Sequence, residues 1–202
     1  MVKIFAVGDL HSDISLAAKL AEIAKEENVD LILLTGDMVE DDRPYEVFGH
    51  FAKTGKIVGA INGNHESFAT LRWLAKRYGF TNLHDYVLEL NNGEIGIFGC
   101  GSANIGIHQL GEDEIYEILK KNFNKISHCK KKIMVVHAPP EGSIIEKFSN
   151  FVRGSKGVRK AIHALKPDLV LCSHVHEAEG IEEKIGNSKV INVCKAGKVL
   201  KI

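Results

Sequence analysis

Lys3-Ile4-Phe5-Ala6-Val7-Gly8-Asp9-Leu10-His11-Ser12-Asp13 begins as an apolar run, stops on a glycine, and then delivers a carboxylate and an imidazole two positions apart. The run has strand character, and Leu16, Leu20, Ile23 and Ala24 follow it at helical spacing. Asp9 and His11 therefore stand at the C-terminal end of a strand, where α/β sheets bind ligands. Residues two apart point the same way on an extended backbone, and a carboxylate beside an imidazole suits a first-row divalent metal. Two donors make a poor site, so the remaining strands matter.

They end in the same manner. Residues 30–35 form a second apolar run closed by Gly36-Asp37, and residues 57–61 a third, followed at once by Asn62-Gly63-Asn64-His65-Glu66. Between them, Asp13 or Ser15 caps a helix that ends at Asn28, and residues 44–53 read as a short helix with Pro44 in its first turn. Residues 68–78 are helical, with Leu71, Leu74 and Ala75 inward, Trp73 at the edge and Gly79 as the stop. Residues 86–90 and 94–98 predict a hairpin across Asn91-Asn92-Gly93. Gly99 to Gly106 has the look of a dinucleotide loop, but Asn104 takes the place of the third glycine and no N-terminal βαβ unit surrounds it. A loop with His108 leads to a helix over 112–122, then to a strand over 132–136 ending in His137-Ala138-Pro139-Pro140. Residues 141–155 are a long connection, readable as a lid or as a packed surface loop. A helix over 158–165 and a strand over 168–172 lead into Ser173-His174-Val175-His176-Glu177, and segments 181–185, 190–193 and 199–202 predict an antiparallel meander closing a second sheet.

Composition sets the class. The chain has 202 residues and is 45% hydrophobic, enough for a full core in a single domain over 1–202. Its 26 Lys and Arg equal its 26 Asp and Glu, so no net basic field attracts nucleic acid or an anionic membrane. The apolar start at Ile4 to Val7 is too short for a signal peptide or a membrane span, which predicts a cytoplasmic protein. Cys100, Cys129, Cys172 and Cys194 show no Cys-x-x-Cys pairing, and Cys172 and Cys194 lie in apolar runs where a thiol simply packs.

The donors gathered at strand ends are Asp9, His11, Asp37, Asn64, His137, His174 and His176, too many for one ion and suited to two adjacent ones. His50, His84, His108, His128 and His163 fall in loops or helices and receive no function. Gly8-Asp9-Leu10-His11, Gly36-Asp37, Gly63-Asn64-His65-Glu66, Val136-His137 and His174-Val175-His176-Glu177 together resemble, in order and over nearly the whole chain, the blocks of the calcineurin-like metallophosphoesterase superfamily. The nearest similarity is to small single-domain prokaryotic phosphoesterases. The resemblance implies an α/β fold, a four-layer α/β/β/α sandwich of two mixed β-sheets flanked by helices.

It also implies roles. One metal would be held by Asp9, His11 and His176 and the other by Asn64, His137 and His174, with Asp37 bridging both. A hydroxide shared by the ions would attack phosphorus, and His65 would contact the phosphate and protonate the leaving oxygen. Manganese is the first expectation, with nickel, iron, cobalt and zinc also accepted by mixed N and O donors. The expected substrate is a small phosphorylated molecule carrying a phosphodiester or a phosphomonoester. A nuclease and a non-catalytic scaffold on the same fold are the alternatives; the neutral charge opposes the first and the complete donor set the second. Monomer and homo-oligomer both stay open. Ser12 and Ser173 stand where glycine is usual, and Glu40 where aspartate is. Arg43 comes two residues later than the phosphate-gripping arginine of some protein phosphatases, so no phosphoprotein specificity is read from it. Glu66 and Glu177 receive no role.

Overall fold

The computed structural model describes residues 1–40 and 46–202. In the first half of the chain, β1 (Lys3–Val7), β2 (Leu31–Leu34), β3 (Ile57–Ala60) and the two-residue β4 (Thr81–Asn82) pair in parallel. The helices α1 (Ile14–Glu26), α2 (Glu46–Ala52) and α3 (Phe68–Tyr78) connect them. The start expected for α2 at Pro44 lies outside the described residues, as does Arg43. Caps fix the helix ends: Asp13 accepts from the Leu16 amide at 2.8 Å, and Ser67 from that of Thr70 at 3.1 Å. Gly79 closes α3 at φ 72°, a left-handed turn that glycine enters without strain.

In the second half, β5 (Leu88–Leu90) and β6 (Ile95–Cys100) form the expected hairpin. β6, β7 (Lys131–Val136) and β8 (Leu169–Cys172) run parallel, with α4 (Glu112–Lys125) and α5 (Lys156–Leu165) as the crossovers. β10 (Ser188–Asn192) lies parallel to β8 and antiparallel to β9 (Glu182–Ile185). β11 (Lys198–Lys201) then leaves that sheet and pairs antiparallel with β1.

This corrects the meander expected at the C-terminus. Alternation at residues 199–202 marks a strand without saying which edge it joins. The edge is set where Gly8 donates to Val193 O at 3.2 Å and Lys195 to Gly8 O at 2.9 Å, turning the chain onto β1. The strand orders are β11-β1-β2-β3-β4 and β5-β6-β7-β8-β10-β9, so both sheets are mixed.

Period-two alternation distributes the core among the layers. Ile4, Ala6, Leu31, Leu33, Ile95, Ile97, Ile133 and Val135 point between the sheets. Phe5, Val7, Ile32 and Leu34 point outward against Ala17 and Leu20 of α1, Phe48 of α2 and Leu71 of α3. Phe98, Met134, Val136 and Val170 do the same against Leu119 of α4 and Ala161 of α5. The result is the four-layer α/β/β/α sandwich. Truncating Leu33, fully buried between the sheets, to Ala is expected to cost about 2–5 kcal/mol. An unchanged urea midpoint would contradict its placement.

Candidate metal centre

The parallel strands of both sheets end at one place, and the sequence after each end carries the donors. Three strands of the first sheet deliver Asp9 and His11, then Asp37, then Asn64 and His65; β7 delivers His137, and β8 delivers His174 and His176. Close backbone approach requires glycine: a Cβ at Gly63 would stand 2.0 Å from Asp37 Oδ1, and one at Gly36 2.5 Å from Gly63 N. Asp9 (φ 57°), His11 (φ 46°), Ser12 (φ 65°), Asp37 (φ 49°) and His174 (φ 74°) all adopt the left-handed conformation. Each of these costs about 1 kcal/mol or more, and such strain concentrates where side-chain aim matters. Ser12 thus keeps the backbone that glycine would supply, and its Oγ also accepts from the Glu40 amide at 2.9 Å.

The donor atoms gather as two clusters, Asp9 with His11 and His176, and Asp37 with His137 and His174; within each, one donor atom per residue lies within 4.8 Å of the others. In the first, His11 Nε2 stands 3.1 Å from His176 Nε2, which is 3.4 Å from Asp9 Oδ1. Two ring nitrogens face each other so closely only with a proton or a cation between them. In the second, His137 Nε2 lies 3.1 Å from Asp37 Oδ2 and 3.2 Å from Asn64 Oδ1. The two clusters join where the His174 amide donates to Asp9 Oδ2 at 3.0 Å.

Local hydrogen bonds aim these atoms. His137 Nδ1 is 2.9 Å from Thr35 O, and a carbonyl only accepts, so Nδ1 carries a proton and Nε2 faces the cluster. His174 Nε2 is buried and has no hydrogen-bond partner among the described residues. Burial pushes the His174 pKa down to about 3, so its ring is neutral. Burial opposes ionisation of Asp37, but His137 and the His65 amide hold its pKa well below the usual carboxylate range. Burial likewise opposes Asp9, which the hydrogen bond to His176 keeps below its ordinary value. Ionised carboxylates, a neutral imidazole without a partner and convergent ring nitrogens fit a pair of divalent cations.

Every donor read from the sequence lies in this constellation, His65 included: its amide donates to Asp37 Oδ1 at 2.9 Å, and its Nε2 lies 3.9 Å from Asp37 Oδ2. The structure adds Glu40. One of its carboxylate oxygens contacts His11 Nδ1 and the other lies 2.7 Å from His65 Nδ1. Carboxylate oxygens accept, so each ring carries its proton on Nδ1 and presents Nε2 inward. The signal in the sequence is its position three residues after Asp37.

Cys194 is a second addition. Instead of only packing, its thiol donates to Asp9 Oδ2 at 2.8 Å, and burial together with that carboxylate pushes its pKa up. Cys172 does pack. Glu66 is fully buried and accepts from the Met38 amide, with burial and Asp37 raising its pKa well above normal; Glu177 is exposed.

A loop borders the centre. Residues 102–111 cross Asn64 so closely that a Cβ at Gly106 would meet Asn64 Cβ at 2.8 Å. Residues 141–155 follow His137, are tied down by hydrogen bonds at several points and leave Phe151 exposed. Glu146 accepts from the amide of Gly154 at 3.0 Å, and Glu183 from that of Ile144 at 2.9 Å.

The family model for calcineurin-like phosphoesterases matches residues 2–178. A search of curated proteins found no match. Among solved structures, the protein TT1561 of Thermus thermophilus superposes with a TM-score of 0.76 at 17% identity, covering 96% of this chain and 89% of that one. A dimetal phosphatase from Danio rerio gives 0.64 at 11% identity, covering 95% and 86%. A protein described as a novel archaeal phosphodiesterase gives 0.52 at 18% identity, covering 96% and 84%. At these identities the likeness is one of fold.

Replacing Glu40 with Gln leaves one acceptor oxygen for two ring N–H groups. Calorimetric titration with Mn²⁺ is expected to show affinity reduced by roughly 10- to 100-fold, the range for lost partners of metal-ligating histidines. Wild-type affinity in the variant would show that Glu40 does not aim these rings.

Proposed function

Since the chain belongs to the calcineurin-like phosphoesterase family, we propose that it hydrolyses phosphodiester or phosphomonoester bonds of a small phosphorylated substrate at a centre of two divalent cations. Asp9, His11 and His176 would hold one cation and Asn64, His137 and His174 the other, with Asp37 between them. The observation that carries the reading is the buried His174 Nε2, free of any partner among the described residues yet grouped with Asp37 and His137. When bound, the cations would supply positive charge against phosphate oxygens and lower the pKa of a water until it is nucleophilic at neutral pH. Manganese is the cation we assign first, with nickel, iron, cobalt and zinc compatible with the same donors.

The chain's own groups account for the proton. Glu40 fixes His65 Nδ1–H, and the ring edge bearing Nε2 faces Asp37 from a side chain that is 38% exposed. When protonated, Nε2 is the donor placed to neutralise a departing oxygen. The net charge of zero favours a small substrate over a nucleic acid. None of the described helices is long and apolar enough to cross a membrane.

The test is hydrolysis of a chromogenic phosphodiester and its monoester counterpart by metal-stripped protein, with ions returned singly. Turnover restored by Mn²⁺ and abolished in Asp37→Ala is expected; folded protein inactive with every ion would overturn the reading. His65→Ala should lose about 10²- to 10⁴-fold in kcat on an alkyl ester, whose leaving oxygen needs a proton. It should lose far less on a nitrophenyl ester, whose leaving group departs as a stable anion. Equal losses on both esters would remove His65 as the acid.

A further inference from the structure

A second set of converging donors lies at the opposite end of the second sheet. Glu89 is on the edge strand β5, and His128 and Cys129 are in the turn before β7, separated from His137 by the six residues of that strand. At strand rise this places the set roughly 20 Å from the metal centre.

The backbone creates the space. Glu89 pairs with Gly96 across the hairpin, and a Cβ at Gly96 would stand 2.9 Å from Cys129 Sγ. The missing side chain lets the thiol sit over β6 beside the carboxylate. The turn is itself fixed, with the Cys129 amide donating to Ile126 O at 3.0 Å and that of Lys130 to Gly93 O at 3.0 Å. Cys129 is 2% exposed, whereas the side chains of His128 and Glu89 are 59% and 41% exposed, so the sulfur forms the floor and the other two groups the rim.

All three donors meet at one nitrogen. His128 Nε2 is 3.1 Å from Glu89 Oε2 and 3.8 Å from Cys129 Sγ, and the three donor atoms lie within 4.8 Å of one another. Ligands at about 2.1 Å (N, O) and 2.3 Å (S) from a tetrahedral zinc stand about 3.4 Å (N to O) and 3.6 Å (N to S) apart. The two edges at His128 Nε2 match to within a few tenths of an ångström. One sulfur, one nitrogen and one oxygen form the donor mix of a thiophilic, borderline cation, and the exposed rim leaves the fourth position to solvent.

We propose that Glu89, His128 and Cys129 form a third cation site, selective for zinc-class ions, which clamps the turn before β7 to the edge strand β5. Bound there, the ion joins two segments nearly forty residues apart and stabilises the folded chain by mass action.

Cobalt provides the test: the seven catalytic donors include no sulfur, and the Cys194 thiol beside Asp9 is removed as a source of signal by making each titration in the Cys194→Ser background as well. Wild-type protein titrated with Co²⁺ is expected to develop a near-ultraviolet thiolate-to-cobalt charge-transfer band, which Cys129→Ser abolishes. His128→Ala alters an exposed side chain and spares the core; it should weaken Zn²⁺ binding at this site at least tenfold. The band reports sulfur ligation alone, so it answers whether or not the phosphoesterase reading holds. Folded wild type without the band, a band retained in Cys129→Ser, or unchanged Zn²⁺ affinity in His128→Ala would each overturn the site.

Discussion

The carbonyl of Thr35, just past the end of β2, accepts from His137 Nδ1 at 2.9 Å and from Ser173 Oγ at 3.0 Å. These bonds tie the first sheet to the ends of β7 and β8 in the second, and the metal centre depends on them. They bring donors from two sheets together, and they fix the His137 tautomer so that its second nitrogen faces Asp37. Sheets packed only by Leu33, Ile97 and their neighbours would hold the layers about 10 Å apart without setting which side chains meet at their ends.

Pre-organisation has a conformational cost. Asp9, His11, Asp37 and His174 occupy left-handed backbone that most residues avoid, and Gly36 and Gly63 leave no room for a methyl group. Paired strands with buried alternating side chains offset this, because the strain falls on the residues immediately after them, where the backbone is anchored on one side. The short cross-links Ser12 to Glu40, Glu40 to His65 and Cys194 to Asp9 complete the support. The candidate donors are thus held in place by the protein's own bonds.

Much of this was legible in the sequence because the donors directly follow apolar runs. Asp9, Asp37, Asn64, His137 and His174 can each be placed at a strand end from local pattern alone, and their number points to two ions. What the pattern could not show depends on contacts between distant segments. Glu40 lies beside His11 and His65 only because β1, β2 and β3 are neighbours, and Cys194 reaches Asp9 because the chain returns to Gly8. The crossing of β11 was missed for the same reason: alternation identifies a strand's two faces and says nothing of its partner. Local periodicity was enough for α3, whose bounds Phe68–Tyr78 coincide with the expected ones, since a cap and a glycine stop are written in the sequence itself.

The central proposal, that Asp37 bridges two cations held by the two clusters, is tested most directly by electron paramagnetic resonance of the metal-stripped protein reloaded with two equivalents of Mn²⁺. The account predicts the multiline spectrum of two exchange-coupled ions joined through Asp37. The spectrum of isolated Mn²⁺ ions at full loading would contradict it.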